Sequence, residues 1–467
     1  MFNARENSID ILYLNMTSYG RDIDIMQPVI VALQERFNLT VVQENLHLYS
    51  FAILKYRPKA VLFAAMSGNE AILEVSRVLK QLNIPIISLV TEGDYLPDPS
   101  IVNQMFWSFN KKREYLPSLQ MVWSDRAFNL IRDSVEGSEK FNLKIGGSTG
   151  FDRYSFNSYM SKDVFLEKIG KSQYKKVVGI GSAGFSQFFD PYYSKNKSNV
   201  DAGYGAEFIE LHRKSKELLN AIYKKLILEN PDILFVLKFH PHTKGINNTE
   251  LSYIEEVDNT VHIVQTKLNI ADIINACDIW VSYDSTTCLE AWLLKKQTLL
   301  INPLGREFKR SIISKGSPIV ETYPDVQKAI DNFYLEGEVL GFSDLLSTRE
   351  TVIHDVIESD DGLNHIRTSA WIKKYFNDNL NSVVEYKIFN SLFLKAIIKA
   401  SLRQLLFFLG RSAFLRNRIK IIKIQNFNMR EFDYVENEKH YEEYKSKLSI
   451  FYTADKEKIV KKIIEEQ

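Results

Sequence analysis

The sequence predicts an α/β protein built from two doubly wound, Rossmann-like parallel-sheet domains, followed by a helical region. Three observations lead there. Short apolar strands alternate with helix-like segments through two successive blocks, residues 1–155 and 156–345. Several of those strands end in polar or glycine-rich clusters, the place where open parallel sheets hold ligands. From about residue 345 the alternation stops and the chain reads as helical to its end, residues 346–467.

In the first block, Ile9–Met16, Leu39–Gln43, Ala60–Ala65, Pro85–Val90, Gln120–Trp123 and Phe141–Ile145 read as buried strands. Helix patterns such as Ile25–Arg36 and Asn69–Leu82 lie between them. The last strand runs into Gly146-Gly147, which suits a sharp turn or close approach to a ligand.

The second block repeats the design. Strands are expected at Lys176–Ile180, Ile233–Phe239, Val261–Val264, Ile279–Tyr283 and Thr298–Ile301, with an edge strand at Pro318–Glu321. Helices are expected at Phe208–Leu228, Ile270–Ala276 and Thr287–Leu294.

Composition excludes some classes. The 59 basic and 58 acidic residues nearly cancel, so no global field points to nucleic acid. Two cysteines, Cys277 and Cys288, make neither a disulfide framework nor a zinc cluster, and both read as small core residues. No secretory signal or spanning helix is evident, so a cytoplasmic protein is expected, with peripheral attachment to the inner face of the membrane as one option. That option rests on nine basic and no acidic residues between Lys387 and Lys423. Lys395, Lys399 and Arg403 share a helix face there, and Phe393, Ile397, Leu405 and Leu409 supply apolar area. The alternatives are a basic helix packed on the protein's own core and a partner protein.

Two clusters in the second block carry the chemistry. The strand from Ile233 runs into His240-Pro241, and proline holds the histidine rigidly. An imidazole there can donate to a phosphate oxygen and stabilise a departing nucleoside phosphate. Lys238 points to the same side of the strand, and His242 adds a further donor. The strand from Ile279 ends at Asp284-Ser285-Thr286-Thr287, where a helix begins. Thr287 and Glu290 fit a capping box, which leaves Ser285 and Thr286 as hydroxyls for a phosphate; the alternative to capping for Glu290 is to accept hydrogen bonds from a ribose. Gly181 and Ser182, after the first strand of this block, would let a nucleotide approach the backbone or simply form a tight turn.

In the first block, Glu92 is the leading candidate for a general base and Asp94 the second. Ser18, Tyr19 and Ser67 are candidate acceptor contacts at other strand ends. Asp22-Ile23-Asp24 sits where a helix starts and reads as capping rather than as a metal site, and no metal or other cofactor is expected.

Taken together, Thr91-Glu92-Gly93, Gly146-Gly147, Phe151-Asp152-Arg153, Lys238-Phe239-His240-Pro241 and Asp284-Ser285-Thr286-Thr287 with Glu290 resemble bacterial GT-B glycosyltransferases of surface carbohydrate synthesis, capsule and lipopolysaccharide included. Sialyltransferases, Kdo transferases and CDP-glycerol glycerophosphotransferases share the His-Pro and hydroxyl motifs. The resemblance implies a GT-B fold with two domains facing a cleft. It implies a nucleotide-sugar donor and a glycan or lipid-linked acceptor. Glu92 would be the base, His240 the leaving-group donor, and Ser285 and Thr286 the phosphate clamp. The family's acidic pair is incomplete, because position 91 is Thr. UDP-N-acetylglucosamine 2-epimerase is similar in architecture, which leaves an epimerase and a CDP-polyol phosphotransferase as alternatives, with a non-enzymatic scaffold behind them.

Overall fold

The structure is a computed structural model of the 467-residue chain, and it describes residues 8–66, 69–185, 206–240, 249–264, 268–305, 310–380 and 390–467. The chain forms two compact units. The first comprises Met1–Tyr95, Val102–Phe156 and Val356–Gln467, and the second Leu96–Ile101 and Asn157–Asp355.

The first unit holds β1 (Ile11–Asn15), β2 (Val41–Asn45), β3 (Ala60–Phe63), β4 (Ile86–Ser88), β5 (Leu119–Val122) and β6 (Leu143–Ile145). They form one sheet in the order β2-β1-β3-β4-β5-β6, with every pairing parallel. The connections after β1 and β3 run in opposite directions, so the topological switch lies between these neighbours. Alternate side chains of each strand go to opposite faces, and both faces are covered. Ile11 and Tyr13 pack with Met26, Val29 and Ile30 of the Arg21–Glu35 helix. Leu12 and Leu14 pack with Val75, Val78 and Leu79 of the Glu70–Gln81 helix.

The helical C-terminal region, read from sequence as a region of its own, returns to this first unit. Ile372, Phe376, Tyr441, Tyr444 and Leu448 complete one core face. Phe393 and Ala396 of the Ser391–Leu409 helix complete the other. Burying a side chain the size of phenylalanine contributes roughly 1.5–3 kcal/mol, so these helices are part of the core rather than an addition to it. Gly146 and Gly147 serve this return. A Cβ on Gly146 would lie 2.3 Å from Thr368 Oγ1, and one on Gly147 2.1 Å from Asn364 Oδ1.

The second unit holds β7 (Lys176–Gly181), β8 (Ile233–Lys238), β9 (Thr260–Ile263), β10 (Ile279–Ser282), β11 (Gln297–Ile301) and β12 (Ile319–Val320). They are ordered β12-β11-β10-β7-β8-β9, again all parallel, and β12 is the edge strand that the sequence predicts. The switch here lies between β7 and β10. Cys277 and Cys288 are buried and free, and burial pushes the Cys288 thiol up to about 12.

Candidate functional site

The geometry of the second sheet places its two polar clusters at one height. Gly181 is in register with Lys238 on one side and with Ser282 on the other. His240 and Asp284 each stand two residues beyond that rung, at the carboxyl ends of the strands flanking β7. Strand spacing separates the two exit points by about 10 Å. Pairing persists to this edge: Ser182 N–H donates to the Lys238 carbonyl at 2.9 Å, Phe239 N–H to that of Ile263 at 3.0 Å, and the Ser282 hydroxyl to that of Gly181 at 2.9 Å. The edge coincides with the switch point, where connections diverge and leave a crevice in open α/β sheets.

His240 is half-buried there. Lys238 is also half-buried, its ammonium donates to the Phe239 carbonyl at 2.6 Å, and burial lowers its pKa. Pro241 and His242 lie outside the described residues.

At the other cluster the capping box does not form. The Thr287–Leu293 helix has Thr286 as its N-cap, in helical conformation and without a side-chain cap bond. Thr287 Oγ1 instead accepts from Trp280 Nε1 at 2.8 Å and lies 2.9 Å from Ser285 Oγ, which also accepts the Thr287 N–H at 3.2 Å. Thr286 is exposed, while Asp284, Ser285 and Glu290 are half-buried.

Gly181 and Ser182 have packing roles. A Cβ on Gly181 would lie 2.8 Å from the Trp280 ring, so indole rather than ligand occupies that face. Ser182 is buried, with its hydroxyl 3.1 Å from Glu250 Oε2. Glu250 also accepts the Ala183 N–H at 2.7 Å, and burial raises its pKa to about 7.

Sequence reasoning missed Arg310. Its Nη1 donates to the Tyr283 carbonyl at 3.0 Å, and its guanidinium carbon lies 5.0 Å from the Tyr283 ring centroid. Burial lowers its pKa, and the neighbouring Asp284 carboxylate opposes that shift. A cation thus stands beside the one acidic residue of the hydroxyl cluster and makes the edge compatible with phosphate. Arg310 follows no strand end and belongs to no motif, so no local signal marked it.

In the first unit, Glu92 follows β4 and is exposed, with Arg21 Nη2 3.0 Å from its Oε1. Asp22 is half-buried nearby, and burial raises its pKa with a smaller push from Glu92. The sequence reading of Asp22 and Asp24 as helix caps does not hold. Gly20 is the N-cap without a side-chain bond, and Asp24 pairs with Arg153 and accepts from the Tyr444 hydroxyl at 2.6 Å. Asp94 is nearly buried against Arg126 at 3.4 Å, a structural pairing that leaves Glu92 the more accessible base. Gly93 is required by packing, since a Cβ there would lie 2.4 Å from the Trp123 ring.

Ser18 does not suit an acceptor. It is fully buried, donates to the Asp433 carbonyl at 3.0 Å and accepts from Asp433 N–H and Asn437 Nδ2, each at 2.7 Å. Tyr19 is exposed, and Ser67 lies outside the described residues. On the Ser391–Leu409 helix, Lys395 is exposed, Lys399 pairs with Glu74, and Arg403 donates to the His47 carbonyl at 3.2 Å. Lys399 and Arg403 therefore lie against the protein's own surface.

No family model matches the chain, and no curated protein matches it. Solved structures do. The S. aureus MnaA–UDP co-structure is similar at 14% identity with a TM-score of 0.51, covering 79% of this chain and 97% of that one. UDP-GlcNAc 2-epimerase from Neisseria meningitidis bound to UDP-GlcNAc is similar at 14% identity and a TM-score of 0.46, covering 79% and 100%. The glycotransferase of kitacinnamycin is similar at 12% identity and a TM-score of 0.42, covering 79% and 99%. The two parallel sheets with flanking helices are those of a two-domain GT-B-like α/β fold.

Proposed function

We propose that the chain is a glycosyltransferase that moves a sugar from a nucleotide-activated donor to a hydroxyl of a surface glycan or glycolipid, without a metal. The observation that carries this is the pairing of His240 with the Asp284–Thr286 cluster at one height on the second sheet's switch-point edge, with Arg310 beside Asp284. Such an edge suits a nucleoside phosphate, with Ser285, Thr286 and Arg310 as phosphate contacts and Glu290 as a ribose contact. That the MnaA co-structure contains UDP agrees with this choice of ligand class.

In the reaction, the acceptor oxygen bonds to the anomeric carbon as the bond from that carbon to the phosphate oxygen breaks. Glu92 takes the acceptor proton. The His240 imidazole donates a hydrogen bond to the phosphate as negative charge develops on it.

A thermal-shift screen against UDP, CMP, CDP, GDP and UDP-GlcNAc tests the donor half. A ligand at 100 times its Kd stabilises by about 2.7 kcal/mol, enough for a clear rise in Tm. No shift from any of them would sink the reading. Turnover assays then separate the chemistries. Nucleotide release that depends on a glycan acceptor supports transfer. An epimerised nucleotide sugar formed without acceptor would replace it with epimerase activity, and turnover confined to CDP-glycerol would replace it with phosphotransfer.

A further inference from the structure

The three helices Ser391–Leu409, Ala413–Arg418 and Lys420–Arg430 expose more apolar surface than a covered helix needs. The first buries Phe393, Ala396 and Ala400. Its opposite side presents Leu394, Ile398, Leu402, Leu405 and Phe408, each more than half exposed. At 100° per residue these five fall within an arc of about 120°. The Lys420–Arg430 helix packs beside it and the Ala413–Arg418 helix packs on Lys420–Arg430, and the two expose Phe414, Ile421, Ile424 and Phe427. Residues 391–430 thus carry ten of the 28 exposed large hydrophobic side chains among the described residues. Single exposed apolar residues are ordinary, but a contiguous stripe of them marks an interaction surface.

Charge selects the occupant. From Lys387 to Arg430 the chain has ten basic residues and no acidic one. Lys395, Arg411, Arg418, Lys420, Lys423 and Arg430 are exposed. Arg411 and Arg418 lie over the exposed rings of Phe408 and Phe414, at 5.4 and 4.8 Å from the centroids. A second copy of this surface would bring like charges together. Nucleic acid would match the charge but leave the aliphatic stripe in water. A bilayer with anionic headgroups matches both, taking apolar side chains below the headgroups and basic ends among them. No helix among the described residues is long and apolar enough to cross a membrane, which makes the surface one that lies in the interface.

We infer that the face formed by Leu394, Ile398, Leu402, Leu405 and Phe408, with its basic rim, docks the protein onto an anionic phospholipid bilayer. This corrects the orientation read from sequence: Phe393 is core, and Lys399 and Arg403 are held by the protein itself. The inference does not depend on which reaction the chain performs.

The test is sedimentation of the full chain with vesicles of phosphatidylcholine alone or mixed with phosphatidylglycerol, at low and high salt. The full chain should pellet with the mixed vesicles at low salt and at least tenfold less with the neutral ones. Leu402→Ser combined with Phe408→Ser should cut the bound fraction at least tenfold. Both positions are exposed, so Tm should be unchanged. A dye on Leu405→Cys should shift its emission to the blue on binding. Absence of pelleting, equal binding by the double variant, or an unshifted dye would overturn the inference. So would a concentration-dependent dimer, dissolved by the same double variant, in a chain that ignores vesicles.

Discussion

His365 Nδ1 lies 2.8 Å from Asp152 Oδ2, and both side chains are fully buried although 213 residues separate them in the chain. Asp152 also accepts the backbone N–H groups of Asn364 at 3.1 Å and His365 at 2.7 Å. His365 Nε2 is 2.6 Å from the Tyr452 hydroxyl. One carboxylate therefore fixes the start of the Asn364–Asn379 helix, and through His365 a residue near the end of the chain, to the first unit's core.

Replacing that carboxylate should be severe. Asp152→Ala strands two backbone donors and a ring nitrogen where no water reaches them, a loss of about 3 kcal/mol or more. Urea unfolding should show a lower midpoint. An unchanged midpoint would mean that the C-terminal return is held by apolar contacts alone.

Gly93 and Trp123 should be coupled. Gly93→Ala puts a Cβ 2.4 Å from the indole, and the ring must move although its Nε1 donates to the Val90 carbonyl at 2.8 Å. Overpacking of this kind costs roughly 1–3 kcal/mol, and it would displace Glu92 next door. In the Trp123→Ala background the added penalty should vanish. A double-mutant cycle checks this, and additive losses would refute it.

Much of this architecture was legible because strands buried on both faces are continuous apolar runs. All twelve strands fall where the runs predict, displaced by no more than two residues at either end. The C-terminal return was not legible. An apolar stripe such as that of Phe393 and Ala396 says that a helix is covered but not by what, and its partners lie hundreds of residues earlier. The misread capping box shows a second limit. Thr287 has the right neighbours for a cap, yet its hydroxyl serves the Trp280 N–H, whose ring in turn requires Gly179 and Gly181 to lack side chains. Arg310 and Glu250 escaped notice because a lone charged residue in an irregular stretch has no period to betray it.

Glu250 should make the second unit less stable at high pH. Its folded pKa is about 7, above the usual 4.5, so between these values the folded state keeps a proton that the unfolded state releases. Stability is full below pH 4.5 and falls as pH rises to about 7, by about 3 kcal/mol in all. Glu250→Gln can still accept the Ala183 N–H and should abolish this fall. Denaturant midpoints at pH 5 and pH 8 decide it. A pH dependence retained in the variant would exclude Glu250 as its source.

His47 should act with the opposite sign in the first unit. Burial, then Arg403 and Lys399, lower its pKa to about 4, and its Nε2 has no hydrogen-bond partner among the described residues. Between pH 4 and the unfolded value near 6.5 the unfolded state binds more protons, so stability rises with pH through this window. Acid should therefore destabilise the wild type by about 3 kcal/mol between these limits. His47→Leu removes the titrating ring and should flatten the curve. If both proteins unfold in parallel as pH falls, another group is responsible.

Arg310 provides the sharpest test of the candidate site. If a nucleoside phosphate binds at the switch-point edge, the Asp284 carboxylate repels its charge, and the neighbouring Arg310 cation offsets that repulsion. Arg310→Met keeps much of the side chain's bulk over Tyr283 but removes the charge. A hydrogen bond to a charged group contributes about 1.5–3 kcal/mol, so nucleotide affinity should fall by roughly 10- to 100-fold. Asp284→Asn in the same background should recover part of it, because the repulsion goes as well. Calorimetric titration of the bound nucleotide measures both. Unchanged affinity in Arg310→Met would place the phosphate elsewhere, whereas weaker binding without recovery would keep Arg310 as a phosphate contact and exclude its second role as a counter-charge to Asp284.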